Sequence, residues 1–240
     1  MLDNFLGDLR RYLDGIGKIY GVSETRPSTK LPWPSGEGRN VVLIRDTGVE
    51  LGNPEQESLS LVMWVNNPDL VRDGVISLIG PDLPESRGGS LPFGKVVIAG
   101  VCGFNGENSY ERYREMDLLR FDVDLKGYMM RAVSQYRREW SRVSHEALDR
   151  GFSFDVLGGA LIDRFREKDY VKSVEVVFVT AGSEEVRKLR GVTEKAMKAV
   201  DALNRMSVEM SFDCGDCEYN DVCSQVGDLR KMRNSLKGKR

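Results

Sequence analysis

Three of the four cysteines stand close together near the end of the chain, and their spacing suits a bound metal ion or cluster. Cys214, Cys217 and Cys223 form the pattern Cys-x2-Cys-x5-Cys. A turn of the Cys-x2-Cys type lets two thiolates converge on one ion, and a third cysteine six residues on can close the site. These three residues therefore predict a metal or iron–sulfur site.

The nature of the bound group stays open between iron–sulfur and zinc. A structural zinc site usually has four protein ligands, and only Cys102 or the single histidine, His145, could supply the fourth from this sequence. Iron–sulfur clusters accept three cysteines with an outside ligand more readily. We therefore expect an iron–sulfur cluster of the four-iron type, with a partner protein as a source of the fourth ligand. Zinc is the alternative, and unliganded thiols are the interpretation least favoured.

A second group of candidate residues lies on a predicted strand over 138–144. Trp140 and Arg142 are two residues apart, so a strand would place both side chains on one face. An indole can stack on adenine, and a guanidinium can bind phosphate through paired hydrogen bonds. Arg137 and Arg138 add positive charge nearby. From the residues alone, the simpler interpretation is a tryptophan that fills the interface between a sheet and a helix, with solvated arginines around it.

Two isolated residues carry weaker signals. His145 follows Ser144, which can cap a short helix, and no nucleophile that it could activate is evident nearby, so we expect a surface position. Cys102 follows an apolar strand over 95–101, and we expect it to be a small buried apolar residue.

The elements that must position these residues alternate between helices and apolar strands, which predicts a mixed, layered α/β sheet domain. The steps of three and four residues between apolar side chains predict an amphipathic helix over 1–20, and prolines predict a linker over 25–39. We divide the chain into 1–36 (helix and linker), 37–210 (α/β domain) and 211–240 (cysteine-rich segment with a basic tail). The predicted strands are 41–44, 58–65, 74–79, 95–101, 138–144 and 173–180. Two further long helices are predicted over 109–128 and 183–206. Two shorter helices are predicted between them, one that ends near 151 and one that is capped by Asp155 and ends near 168.

Composition limits the class of protein. The 240 residues are 40% hydrophobic, which is enough apolar material to form a core. The formal net charge of −2 argues against nucleic-acid binding. No uncharged apolar run approaches the roughly 20 residues of a membrane-spanning helix, and the first residues do not resemble a secretory signal. We therefore expect a cytoplasmic protein that does not associate with membranes.

An ordered series of short motifs over about residues 37–223 resembles the β subunit family of the carbon monoxide dehydrogenase/acetyl-CoA synthase complex. The resemblance is to the middle domain of acetyl-CoA synthase and to the start of the segment that follows it. The motifs, in chain order, are Arg45-Asp46, Val49-Glu50-Leu51-Gly52-Asn53-Pro54, Gly80-Pro81-Asp82, Gly89-Ser90-Leu91-Pro92-Phe93-Gly94 with Val96-Val97, Trp140-Ser141-Arg142-Val143-Ser144 with Glu146-Ala147-Leu148, Gly151-Phe152, Gly158, Leu161, Phe165 and the strand Val174–Thr180.

The resemblance implies specific roles for both candidate groups. Cys214 and Cys217 match the first ligands of the family's nickel–iron–sulfur cluster, and Cys223 matches the third after a shorter gap. Trp140, Arg142 and Arg138 fall in the region that the family uses near coenzyme A. The family's fourth cluster cysteine and its Cys-Gly-Cys, which provides a square-planar nickel site, have no counterpart here, and neither has its larger N-terminal domain. The chain thus resembles a subunit fragment or a reduced paralogue.

Two functions follow as expectations. The first is an iron–sulfur protein of this family that binds CoA and acts in acetyl-CoA and carbon monoxide metabolism as an accessory or partner subunit, without nickel of its own and inactive alone. The second is a non-catalytic module that binds zinc or another metal and serves interaction or assembly, having kept only the fold.

Overall fold

A computed structural model describes residues 3–26, 33–38, 40–105, 108–133 and 137–208. The helices are α1 (Asp3–Tyr20), α2 (Ser109–Leu119), α3 (His145–Asp149), α4 (Phe154–Arg166) and α5 (Ser183–Val208). The strands are β1 (Ser23–Thr25), β2 (Thr47–Leu51), β3 (Ser58–Val65), β4 (Ile76–Ile79), β5 (Ser90–Leu91), β6 (Phe93–Val101), β7 (Tyr128–Val133), β8 (Glu139–Ser144) and β9 (Val171–Val179). This arrangement confirms the mixed α/β fold with an N-terminal helix.

The strands form two mixed sheets that share one core. The larger sheet has the order β1-β4-β9-β6-β3, in which β3 pairs with β6 and β4 with β9 in parallel, whereas β6 and β9 are antiparallel. The smaller sheet has the order β5-β2-β8-β7. Strands β3 and β6 are buried along their whole length, as expected for near-continuous apolar runs covered on both faces.

Helices cover the larger sheet with their apolar sides. In α1 the spacing of apolar residues predicted one buried face, and the side chains on that face enter the core: Phe5, Leu6, Leu9, Leu13 and Ile16. Helix α1 packs on α5 and β4, and β1 adds an edge strand to the same sheet. The N-terminal segment is therefore packed against the α/β domain. No helix in the described part of the chain is long and apolar enough to cross a membrane.

Most of the predicted elements are confirmed within a few residues, and four predictions are wrong. Residues 41–44 do not form a strand, because Val41, Leu43 and Ile44 are exposed and pairing starts only at Thr47. Cys102 is exposed, because β6 ends at Val101.

The other two errors concern helix ends. The helix predicted over 109–128 ends at Leu119, because Arg120 turns inward and donates a hydrogen bond to the carbonyl of Ser60. The chain then enters β7, a strand that its sequence did not reveal. Asp155 does not occupy the cap position of α4, which belongs to Ser153, and instead accepts a 2.5 Å hydrogen bond from Thr25.

Candidate functional site

Strand β8 separates its side chains between the core and a surface cleft. Glu139, Ser141 and Val143 face the core, whereas Trp140 and Arg142 line the cleft on the opposite face. On that face Trp140 is half-buried and Arg142 is buried. This alternation confirms the prediction that Trp140 and Arg142 share a face. The strand lies between β2 and β7, so its outward face is bordered by residues from both neighbours.

The outward face of β8 lines a cleft of about 520 Å³, a size in the usual range for small-molecule sites. Glu50 and Asn53 contribute from β2 and the turn after it, and the loop 88–90 closes the other side. Strand β5 holds this loop in place by pairing in parallel with β2, and the amide of Glu50 donates a 3.1 Å hydrogen bond to the carbonyl of Gly89. Gly88 has a φ of +76°, a conformation that favours glycine.

The charged groups of the cleft are joined in a chain of contacts. The Arg142 Nε donates to Glu50 Oε1 at 2.7 Å, and the Asn53 amide donates to Glu50 Oε2 at 3.1 Å. Burial on its own would raise the pKa of Glu50, but the hydrogen bonds from Arg142 and Asn53 outweigh it and lower that pKa. Glu50 is therefore ionised at neutral pH. Among the described residues, Glu50 is the only side-chain hydrogen-bond partner of the Arg142 guanidinium, which donates to it through Nε.

The ring of Trp140 stands between two guanidinium groups. The central carbon of Arg142 lies 5.5 Å from the ring centroid and that of Arg131 lies 4.8 Å from it, within the range of cation–π interaction. Arg131 is exposed and sits where the pairing of β7 with β8 shifts, between Met130 and Ala132. The indole N–H is buried and favours the ionised form of Glu50, although it completes no hydrogen bond of standard geometry with any described residue.

The other basic residues singled out from the sequence lie beside the cleft rather than in it. Arg138 donates a 2.6 Å hydrogen bond to the carbonyl of Gln56, and Arg137 pairs with Asp201 of α5 at 2.8 Å. Neither residue lines the cleft.

The cysteine site lies outside the described residues, since Cys214, Cys217 and Cys223 all follow Val208. Within the described ranges, no group of three or more His, Cys, Asp or Glu side chains is arranged to hold a metal ion. His145 is exposed, as predicted, and lines a different cleft of about 570 Å³ beside Trp33 and Arg150.

Sequence reasoning noted the motifs around residues 49–54 and 89–94 but did not connect them to Trp140. The missed residues are Glu50, Asn53, Gly88 and Arg131. The connection depends on β2 lying between β5 and β8, a long-range pairing that the sequence pattern does not encode. For the bulge at Arg131, the local sequence contains no pattern that predicts it.

The fold is that of a two-sheet α/β protein with a polar cleft lined by Trp140, Arg142 and Glu50. A family model described as CO dehydrogenase/acetyl-CoA synthase complex beta subunit matches residues 34–186. This match covers more than half of the chain and includes every residue that lines the cleft. The chain belongs to this family, which confirms the resemblance inferred from the motifs.

Several relatives are similar over most of this chain but are much longer than it is. The acetyl-CoA decarbonylase/synthase complex subunit beta of Methanopyrus kandleri is 29% identical over 213 residues, which cover 85% of this chain and 44% of the relative. The acetyl-CoA decarbonylase/synthase complex subunit beta 1 of Methanosarcina thermophila is 29% identical over 176 residues, which cover 71% of this chain and 36% of the relative. The carbon monoxide dehydrogenase/acetyl-CoA synthase subunit alpha of Moorella thermoacetica is 27% identical over 216 residues, which cover 85% of this chain and 29% of the relative. The chain thus spans less than half the length of these relatives.

Proposed function

We propose that this chain is a CoA-binding, iron–sulfur subunit that acts with a partner protein in acetyl-CoA and carbon monoxide metabolism. The observation that carries the proposal is the placement of Trp140 and Arg142 side by side in one cleft, within the part of the chain that matches the family. Relatives of the chain are named as subunits of acetyl-CoA decarbonylase/synthase complexes, which supports a role in an assembly.

The chemistry of the cleft suits the nucleotide end of CoA. The Trp140 ring offers a surface for adenine once the exposed Arg131 side chain moves aside, and the terminal amino groups of Arg142 can bind phosphate. The loop with Gly88 and Gly89 has no side chains beyond Cα, so a ligand can approach its backbone closely. Glu50 would hold Arg142 in place through its Nε and leave the rest of the guanidinium to the ligand.

Tryptophan fluorescence tests this assignment. CoA should quench the emission of the wild-type chain, and Trp140→Phe should remove most of the quenching because Trp33 and Trp64 lie outside the cleft. Pantetheine lacks both adenine and the nucleotide phosphates, so it should quench little. Equal quenching in wild-type and Trp140→Phe protein would show that CoA does not bind at this cleft.

The donor set for the second cofactor is chemically suited to an iron–sulfur cluster. Three thiolates in a Cys-x2-Cys-x5-Cys arrangement can hold three irons, and the fourth ligand would come from the partner. When bound, the cluster would supply electron-transfer capacity and thiolate-bridged metal sites, while the chain would hold it through Cys214, Cys217 and Cys223.

Anaerobic reconstitution with iron and sulfide, followed by metal and sulfide analysis, tests the cluster. The wild-type chain should become brown and contain iron and sulfide, whereas the triple Cys→Ser variant should remain colourless. Cys102→Ser is the matched control and should retain the cluster. Stoichiometric zinc without iron or sulfide would instead favour the second candidate, a non-catalytic metal-binding assembly module. That candidate is supported by the absence of a Cys-Gly-Cys pattern from the 240 residues.

A further inference from the structure

The inward face of β8 carries a buried polar cluster that the proposed ligand site does not use. Glu139 lies between the two sheets, where it meets Lys95 from β6 of the larger sheet. The Lys95 Nζ lies 2.5 Å from Glu139 Oε2, and the two side chains are 1% and 0% exposed. A fully buried ion pair is costly to form, so its placement behind the ligand-facing residues calls for a physical account.

Hydrogen bonds connect this pair to strand β7 and to the end of helix α2. The Tyr128 hydroxyl of β7 donates to Glu139 Oε1 at 2.9 Å and lies 3.0 Å from Ser141 Oγ. Lys95 also donates to the carbonyl of Arg120 at 3.1 Å. Tyr128 therefore contacts both polar side chains on the inward face of β8, Glu139 and Ser141. These two residues directly precede and follow Trp140.

The ionisation of the cluster follows from its contacts. Burial would raise the pKa of Glu139, but the ammonium group of Lys95 outweighs burial and lowers it. Burial and the Glu139 charge both raise the pKa of Tyr128, which keeps the hydroxyl as a donor. The Glu139 carboxylate thus faces the Lys95 ammonium through one oxygen and accepts a hydrogen bond from Tyr128 through the other.

The backbone of β8 is fixed at its first residue as well. The Ser58 hydroxyl donates to the Glu139 carbonyl at 2.7 Å and accepts from the Glu139 amide at 2.9 Å. Gly52 has a φ of +60°, and a Cβ at this position would collide with the Glu139 carbonyl oxygen. The start of β8 therefore sits in a close-fitting position between β3 and the turn after β2.

The pairing of β8 with both of its neighbouring strands is irregular. The backbone ladder therefore does not fix the register of β8 by itself, and side-chain contacts must contribute. Its register against β2 shifts between Thr47 and Val49, and its register against β7 shifts between Met130 and Ala132. A bulge leaves one residue unpaired and weakens the ladder there. A slip of one residue would turn Trp140 and its neighbours through to the other face.

We propose that Lys95, Tyr128 and Glu139 are positioning residues that hold β8 in the register presenting Trp140 and Arg142 to the cleft. A one-residue slip would expose Glu139 and leave the buried Lys95 without its counter-charge, a strongly unfavourable state. The cluster thereby penalises the wrong register. The identity of the ligand in this inference rests on the proposed function, whereas the positioning of Trp140 does not.

Fluorine NMR of the full chain labelled with fluorotryptophan tests the inference without any ligand. The signals of Trp33, Trp64 and Trp140 are assigned with single Trp→Phe variants. Tyr128→Phe keeps the ring and removes only the hydroxyl, so it should fold and should shift or broaden the Trp140 signal. Tyr170→Phe is the matched control, because it also removes a hydroxyl that donates to a glutamate, Glu115, at 2.6 Å. It should leave the Trp140 signal unchanged.

A second variant and a second measurement complete the test. Lys95→Met/Glu139→Gln removes both charges and should also change the Trp140 signal, and Tyr128→Phe should weaken CoA binding roughly tenfold, as expected for residues coupled in one network. An unchanged Trp140 signal in both Tyr128→Phe and the double variant would overturn the inference. A changed signal in a chain that binds no CoA would support the positioning and overturn the proposed function instead.

Discussion

The Arg142 Nε lies 2.7 Å from Glu50 Oε1, so the two central strands of the smaller sheet are joined by an ion pair at the edge of the cleft. Arg142 is buried more deeply than Glu50. The carboxylate therefore fixes the orientation of a guanidinium that belongs to the lining of the cleft. An anionic ligand would share Arg142 with Glu50, and the protonation state of Glu50 affects the site.

The first prediction concerns pH. The pKa of Glu50 is lowered in the folded chain, because the hydrogen bonds from Arg142 and Asn53 outweigh burial. The pair thus stabilises the fold above the ordinary glutamate pKa of about 4.3, and this contribution is lost as pH falls through the lowered value. The fluorine signal of Trp140 should change in that acidic range in wild-type protein and not in Glu50→Gln.

Glu146→Gln is the control for the pH experiment. Glu146 lies at the other cleft, near Lys126 and Arg150, so this variant should keep the wild-type change of the Trp140 signal. The same acidic change in Glu50→Gln would mean that another group reports on Trp140.

The second prediction concerns the free energy of unfolding. Lys95→Met should lower it by about 3–5 kcal/mol, because the substitution leaves the buried Glu139 carboxylate without its partner. Lys95→Met/Glu139→Gln should recover at least half of that loss, since no buried charge then remains unpaired in the ion pair. Denaturant unfolding of the wild-type, single and double variants measures this coupling, and losses that simply add would contradict it.

The third prediction is that these 240 residues alone do not exchange labelled carbon monoxide into acetyl-CoA. The sequence contains four cysteines. We propose that three of them bind the cluster, and the fourth, Cys102, is exposed just after β6. One further thiolate cannot supply a square-planar nickel site. Exchange by the nickel-reconstituted chain that is lost in Cys217→Ser would reveal a nickel site that we have not identified.

The sequence predicted well those elements whose pattern is set by local physics. Helix α1 and strands β3, β6 and β9 followed from spacing and from runs of apolar residues, and the alternation along β8 correctly placed Trp140 and Arg142 on one face. These features depend on the period of a helix or a strand and need no knowledge of distant contacts.

The features that failed depend on long-range pairing. The predicted helix over 109–128 reached the first residue of β7, and the sequence pattern predicted no strand over 129–133. Only the pairing of β7 with β8 defines this strand. Lys95 was hidden in an apolar run, and its partner Glu139 is 44 positions further along the chain. Neither the buried ion pair nor the Glu50–Arg142 contact could be inferred before the order of strands was known.

Calorimetric titration of the full chain with CoA tests the central claim most directly. Wild-type protein should bind CoA, and Arg142→Ala should weaken binding by about 1.5–3 kcal/mol, the usual contribution of a hydrogen bond to a charged group. Arg150→Ala is the control, since Arg150 stacks near Trp33 at the other cleft, 5.5 Å from that ring, and it should bind CoA like the wild type. Absence of binding to wild-type protein at millimolar CoA, or equal losses in both arginine variants, would contradict a CoA site at Trp140 and Arg142.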